Sequence, residues 1–104
     1  DDRALMLKTI QDDPADKILI VHGTDTMDIT ASYLDLHVKD KTIFLTCAMV
    51  PFSIDTVEAT ANFMFALGAL HVKEEKGIFI SMHGVTLEHT RIYKNREKGI
   101  FEPR

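Results

Sequence analysis

The chain holds a single cysteine, Cys47. One thiol closes no internal disulfide, so the fold needs neither covalent staples nor an oxidising compartment. No apolar run reaches the roughly 18 residues of a spanning helix, and no secretory leader is visible. The expected setting is the cytoplasm, with no membrane partner. A basic excess is missing too. Twelve Lys and Arg stand against sixteen Asp and Glu, a net charge of −4 with the histidines neutral. A nucleic acid or an anionic membrane rewards a basic face, so no nucleic-acid partner is expected. Repeats, low-complexity tracts and internal linkers are also lacking.

What is present is enough for one compact domain. At 104 residues, 45% hydrophobic and 27% charged, the composition is that of a globular chain. A domain of this size hides roughly 65% of its unfolded surface, so a core can form. The chain opens on Asp1 rather than methionine, as a fragment or a processed product would.

The apolar pattern alternates between two periods. Residues 3–13 carry Leu5, Leu7 and Ile10 at helical spacing and end before Pro14. "KILIVH", 17–22, is a short continuous run rich in β-branched residues, the pattern of a strand buried on both faces. Residues 26–37 place Met27, Ile29, Ala31, Tyr33 and Leu34 in a helical window, and "KTIFLTCAMV", 41–50, reads as a second buried strand. The longest helix is expected over 55–72. Its start, Asp55 followed by Glu58, resembles a capping box, and its apolar half from Phe63 onward is expected to be deeply packed. "KGIFISMHG", 76–84, is a third buried strand, and 85–104 reads as extended, turn and tail. Buried strands alternating with helices predict an α/β fold, a three-layer doubly wound parallel sheet of the flavodoxin-like or Rossmann-like kind. It is expected to be incomplete at its N-terminal end. An uncovered sheet edge invites pairing, which predicts a dimer or a longer parent chain.

The chemistry concentrates where the first strand gives way to a helix, at "HGTDT". Ligands of open α/β sheets sit beyond the carboxyl ends of the strands. Gly23 permits a tight turn and close backbone approach. The following helix start offers free N–H groups and a positive dipole end to an anion. Plain capping by Thr24, Asp25 or Thr26 is the ordinary account of such residues, but a cap needs one side chain and three adjacent ones are present. The five histidines follow no zinc spacing, so no metal is expected. Cys47 reads as a small buried hydrophobe rather than a nucleophile.

These segments resemble the bacterial-type asparaginases. "HGTDTM" with the following Thr30, Ala31 and Leu34 is similar to that family's second signature, the strand end of its N-terminal domain. "KTIFLTCAMVP" is similar to the next strand and its turn. "GIFISMHGVTLEHTRIYKNRE" is similar to the strand and loop that carry the family lysine, here Lys94. The likeness runs in order from about residue 4 to residue 102, making residues 1–104 a single, partial N-terminal-type domain.

The resemblance implies a Thr24–Asp25–Lys94 catalytic set, with Gly23, Thr24 and Asp25 also holding substrate and Asp25 taking an α-ammonium. It implies hydrolysis of the side-chain amide of asparagine, and less readily of glutamine, to the acid and ammonia through an acyl-enzyme, with no cofactor and in a homo-oligomer. The sequence departs from the pattern in several places. The family's Thr-Gly-Gly-Thr segment with its other threonine, its substrate-carboxylate serine and its smaller second domain are all without counterparts here. Cys47 stands for a glycine, Val50 for an arginine, and Glu58–Ala59 for an Asp-Gly pair. A short, divergent branch is implied, whose 104 residues alone have little turnover. Two further functions fit the same residues: an amino-acid-binding regulatory protein that lost the chemistry, or the amide-donor subunit of an amidotransferase.

Overall fold

The computed structural model describes residues 2–47 and 56–104. The elements follow in the order α1 (Asp2–Asp12), β1 (Lys17–Val21), α2 (Met27–His37), β2 (Thr42–Thr46), α3 (Thr56–Val72), β3 (Gly77–Met82) and β4 (Val85–Glu88). A 3₁₀ turn (His89–Arg91) then leads into the hairpin β5 (Ile92–Asn95) and β6 (Ile100–Pro103). The Asp55 half of the expected cap and the 48–50 end of the expected second strand lie outside the described residues.

The main sheet runs β1-β2-β3-β4. β1, β2 and β3 pair in parallel, as their buried apolar runs predict, with Ile18 opposite Ile43 and Ile43 opposite Ile78. β4, in the stretch read from sequence only as extended, turn and tail, returns antiparallel on β3. The two residues between them, His83 and Gly84, have φ of 51° and 78°. Positive φ at both central positions is the type I′ turn, whose twist matches the strands it joins. Histidine is among the few non-glycine residues that reach this region with any frequency.

Alternation along the strands builds two cores. Ile18, Ile20, Ile43, Leu45, Ile78, Ile80 and Met82 point to the face covered by α1 and α2, where Met27, Ala31 and Leu34 are fully buried. Leu19, Phe44 and Phe79 point to the other face, against Ala66, Ala69 and Leu70 of α3. The result is a three-layer sandwich. β1→α2→β2 and β2→α3→β3 step in the same direction across the sheet, yet α2 and α3 lie on opposite faces. Right-handed crossovers, about 98% of such connections, would put both helices on one face. One of these two crossovers is therefore left-handed.

Two expectations are corrected. β1 is not buried on both faces: it is the sheet edge, half-buried along its length with Val21 66% exposed. The second half of α3 is not deeply packed either. Only Asn62, Ala66 and Leu70 are buried, a single stripe facing the sheet, while Phe63, Met64 and Phe65 stay 40–57% exposed. A helix covering one sheet face buries one stripe whatever its composition, unless another layer covers its outer side.

Leu34 is fully buried between α2 and the sheet. Leu34→Ala is expected to lower the unfolding free energy by about 2–5 kcal/mol, read from the midpoint of a urea transition at unchanged slope.

Candidate active site

Beyond the end of β1 the chain turns through His22–Thr26 into α2. His22 N–H extends the sheet by one bond to the Thr46 carbonyl, 2.9 Å. Its ring then locks the turn. Nδ1 lies 2.7 Å from the Gly23 carbonyl oxygen. A carbonyl only accepts, so that nitrogen carries the proton, and in the neutral ring Nε2 accepts from the Thr30 hydroxyl at 2.9 Å. Arg3 Nε donates to the same hydroxyl at 3.0 Å, tying α1 into the network. A Cβ on Gly23 would meet nothing within 4 Å. Among the described residues, then, no crowding demands the glycine, and its backbone is open to approach.

Capping does not account for the three polar residues after Gly23. Thr26 occupies the N-cap position of α2, but its side chain makes no capping bond. The first turn of α2 is left without a side-chain acceptor at its N-cap. Thr24 and Asp25 are directed elsewhere, toward Lys94 on β5, about 70 positions further along the chain. The Lys94 ammonium donates to Thr24 Oγ1 at 2.9 Å and to Asp25 Oδ1 at 2.7 Å. Its side chain is 16% exposed and that of Asp25 is 78% exposed. One cation therefore bridges a hydroxyl and a carboxylate at the rim of the sheet.

The β5–β6 hairpin is what brings Lys94 there. Ile92 and Phe101, one from each strand, are buried in the α1/α2-side core. The hairpin closes with Gly99 at φ 67°, and Asn95 Oδ1 accepts from the Lys98 N–H at 3.1 Å. On its outer side Glu102 accepts from the Tyr93 hydroxyl at 2.7 Å and from Asn95 at 3.2 Å.

A cleft of about 220 Å³ opens at this point, with Thr24, Asp25, Asp28, Tyr93, Lys94 and Arg96 on its walls. Arg96 was not among the residues singled out by sequence pattern. It donates through one terminal nitrogen to Asp25 Oδ1 at 3.1 Å. The signal was available only as a charged residue two positions beyond Lys94, on the same side of an extended strand if the strand continued.

The electrostatics follow from these contacts. The hydrogen bond from Lys94, and then that from Arg96, hold the Asp25 carboxyl below its ordinary value of 3.8. Chemically, an ammonium donating to Thr24 Oγ1 steadies negative charge on that oxygen, and the adjacent carboxylate keeps the amine oriented.

A second polar set lies on the α3 side. Asn62, 4% exposed, donates to the Cys47 carbonyl at 2.7 Å and accepts from the His83 N–H at 3.0 Å. His83 Nε2 meets Glu58 Oε2 at 2.6 Å. These bonds pin α3 to the end of β2 and to the β3–β4 turn. Cys47 itself is half-buried against the core, its N–H donating to Met82 Sδ at 3.2 Å. Among the described residues no group of three His, Cys, Asp or Glu side chains is placed to hold a metal ion, and no helix is long and apolar enough to cross a membrane.

The fold is a three-layer α/β sandwich with Thr24, Asp25 and Lys94 in hydrogen-bond contact beyond the end of β1. The model of the asparaginase N-terminal domain matches residues 4–100. The chain belongs to the asparaginase family. It is 33% identical over 91 residues to L-asparaginase 2 of Escherichia coli (strain K12), covering 85% of this chain and 26% of that protein. It is 35% identical over 75 residues to the probable periplasmic L-asparaginase of Haemophilus influenzae, covering 69% and 22%. Its fold superimposes on the crystal structure of a probable cytoplasmic L-asparaginase from Campylobacter jejuni with a TM-score of 0.75 at 27% identity, over 95% of this chain and 32% of that one. The chain thus spans about a quarter of the length of these curated relatives.

Asp25 should titrate below 3.8 in the folded protein. A lowered carboxyl contributes to the Lys94 contact above its unfolded pKa, and the contribution fades as pH falls through the folded value. A carbon-detected NMR titration of the Asp25 carboxyl should place its midpoint below 3.8 and move it upward in Lys94→Met.

Proposed function

We propose that these residues form part of an asparaginase-type amidohydrolase that converts the side-chain amide of L-asparagine to aspartate and ammonia. The observation that carries this reading is the Lys94 ammonium within hydrogen-bond reach of both Thr24 Oγ1 and Asp25 Oδ1 at a strand end. Thr24 is the hydroxyl at which acyl chemistry is activated. Lys94 holds and returns its proton, and Asp25 keeps Lys94 oriented while its open Oδ2 side faces the substrate. Gly23 and the first turn of α2, whose N-cap side chain makes no bond to it, present backbone N–H groups to a carboxylate or a developing oxyanion.

The same reading makes residues 1–104 part of an N-terminal-type domain in a homo-oligomer. Among the described residues β1 pairs only with β2, so one row of its backbone groups is open. A groove lined by Leu5, Met6, Ile10, Ile18 and Ile20 runs beside it. A strand from a second copy, or from elsewhere in a longer parent chain, completes that edge. A reducing, cytoplasmic setting suits the lone thiol. The substrate is a small amino acid, with neither nucleic acid nor membrane as partner and no cofactor in the chemistry.

Coupled ammonia release from L-asparagine by the full natural chain tests the reading. Lys94→Met should lower kcat about 10²–10⁴-fold with a small change in KM, the loss expected of a proton-transfer group. Asp25→Ala should raise KM as well as lower kcat. The 104 residues alone should bind L-aspartate weakly in calorimetric titration and release little ammonia. Full turnover in Lys94→Met would overturn the assignment. Sedimentation equilibrium should find a species heavier than the monomer.

A further inference from the structure

Gly23 is exposed, and a Cβ there would meet nothing within 4 Å. A glycine without walls turns about φ and ψ at small cost, so crowding does not fix the direction of the Gly23–Thr24 peptide. Among the described residues one group meets its carbonyl: the His22 ring, with Nδ1 lying 2.7 Å from the Gly23 oxygen. That ring is anchored at its other nitrogen. Nε2 accepts from the hydroxyl of Thr30, which is fully buried in α2, at 2.9 Å. Arg3 Nε, from α1, donates to the same hydroxyl oxygen at 3.0 Å. The donors point one way along the chain, from Arg3 through Thr30 and His22 to one backbone oxygen, and bonds so aligned polarise one another.

The Gly23–Thr24 peptide is trans, so its N–H, which belongs to Thr24, points opposite to its C=O. The carbonyl faces His22, whose ring lines one cavity with Thr26 and Thr30. Thr24 lines the other, the cleft it shares with Asp25 and Lys94. Among the described residues the Thr24 N–H has no acceptor. An unused donor therefore stands on the residue whose Oγ1 meets Lys94, and its direction is set from the opposite side of the turn.

We propose that His22, anchored by Thr30 and Arg3, is a positioning residue for the amide hydrolysis proposed above: it fixes the Gly23–Thr24 peptide so that the Thr24 N–H is aimed at the oxygen of the reacting amide. The assignment rests on that reading of the cleft. His22 touches no reacting atom. It removes the freedom that Gly23 would otherwise have, and a donor aimed in advance costs no reorganisation when charge develops on the oxygen.

Two substitutions in the full natural chain separate the two ring nitrogens. His22→Asn keeps a donor where Nδ1 stands, and His22→Gln keeps a polar group where Nε2 stands but loses the bond to Gly23. Outright loss of an oxyanion donor costs about 10²–10³ in kcat, and His22→Gln only misaims one, so its kcat for L-asparagine should fall about 10- to 100-fold. Its KM should stay within about threefold, the pattern of an interaction made in the transition state. His22→Asn should recover most of the lost kcat. On adding L-aspartate, the Thr24 amide resonance should move in the unaltered chain and in His22→Asn, and not in His22→Gln. Long-range proton–nitrogen NMR of the unaltered chain, which needs no variant, should find Nδ1 of His22 protonated and Nε2 bare. A protonated Nε2 overturns the proposal. So do equal ammonia release by the two variants and equal movement of Thr24, with the amidohydrolase reading left standing. If the unaltered chain releases no ammonia, that reading falls and the role of His22 falls with it.

Discussion

The organisation of this chain depends on one cation. Lys94 reaches from the C-terminal hairpin to the first strand-to-helix turn and joins a hydroxyl and a carboxylate that lie next to each other in sequence. Everything around it serves that placement. The parallel sheet holds the end of β1. The His22–Thr30–Arg3 network holds the Gly23 carbonyl. The burial of Ile92 and Phe101 holds the hairpin against the core. Because Lys94 is mostly buried and Asp25 is mostly exposed, the bridge sits at the boundary between the core and solvent.

The topology explains why such a site can exist in so small a unit. Parallel strands place all their carboxyl ends on one side, and β2, completely buried, carries the two cores back to back. A reversed crossover puts α2 and α3 on opposite faces, so the sheet is covered on both sides with only two connecting helices. Among the described residues nothing pairs with the open side of β1, and Phe63, Met64 and Phe65 on the outer side of α3 remain partly exposed. Relatives three to four times as long have further chain with which to cover such surfaces.

Much of this was legible from residue pattern. The three parallel strands, the helices over 3–13, 26–37 and 55–72, and the convergence of interest on "HGTDT" follow from apolar period and turn chemistry, because those signals are local. The meeting of Lys94 with Thr24 and Asp25 was expected only through family resemblance; by composition Lys94 is a loop lysine beside Asn95 and Arg96. The antiparallel β4, the burial state of β1 and the packing of α3 were not legible. A continuous apolar run reads the same in a central strand and at an edge, since its neighbours are set by strand order and not by its own residues. The His83–Gly84 turn did carry a signal, a glycine dipeptide between apolar runs, which is weaker with histidine than with asparagine in the first place.

The sequence by itself determined the period of each element, the acidic balance, the single thiol and the family, because each is a property of neighbouring residues or of their order. Tertiary structure alone decided which strand is the edge, on which face each helix lies, and that Arg96 shares Asp25 with Lys94. Those outcomes depend on contacts between residues up to 71 positions apart. Their energies come from side-chain geometry and charge at a distance of a few ångströms, and no local pattern encodes that distance.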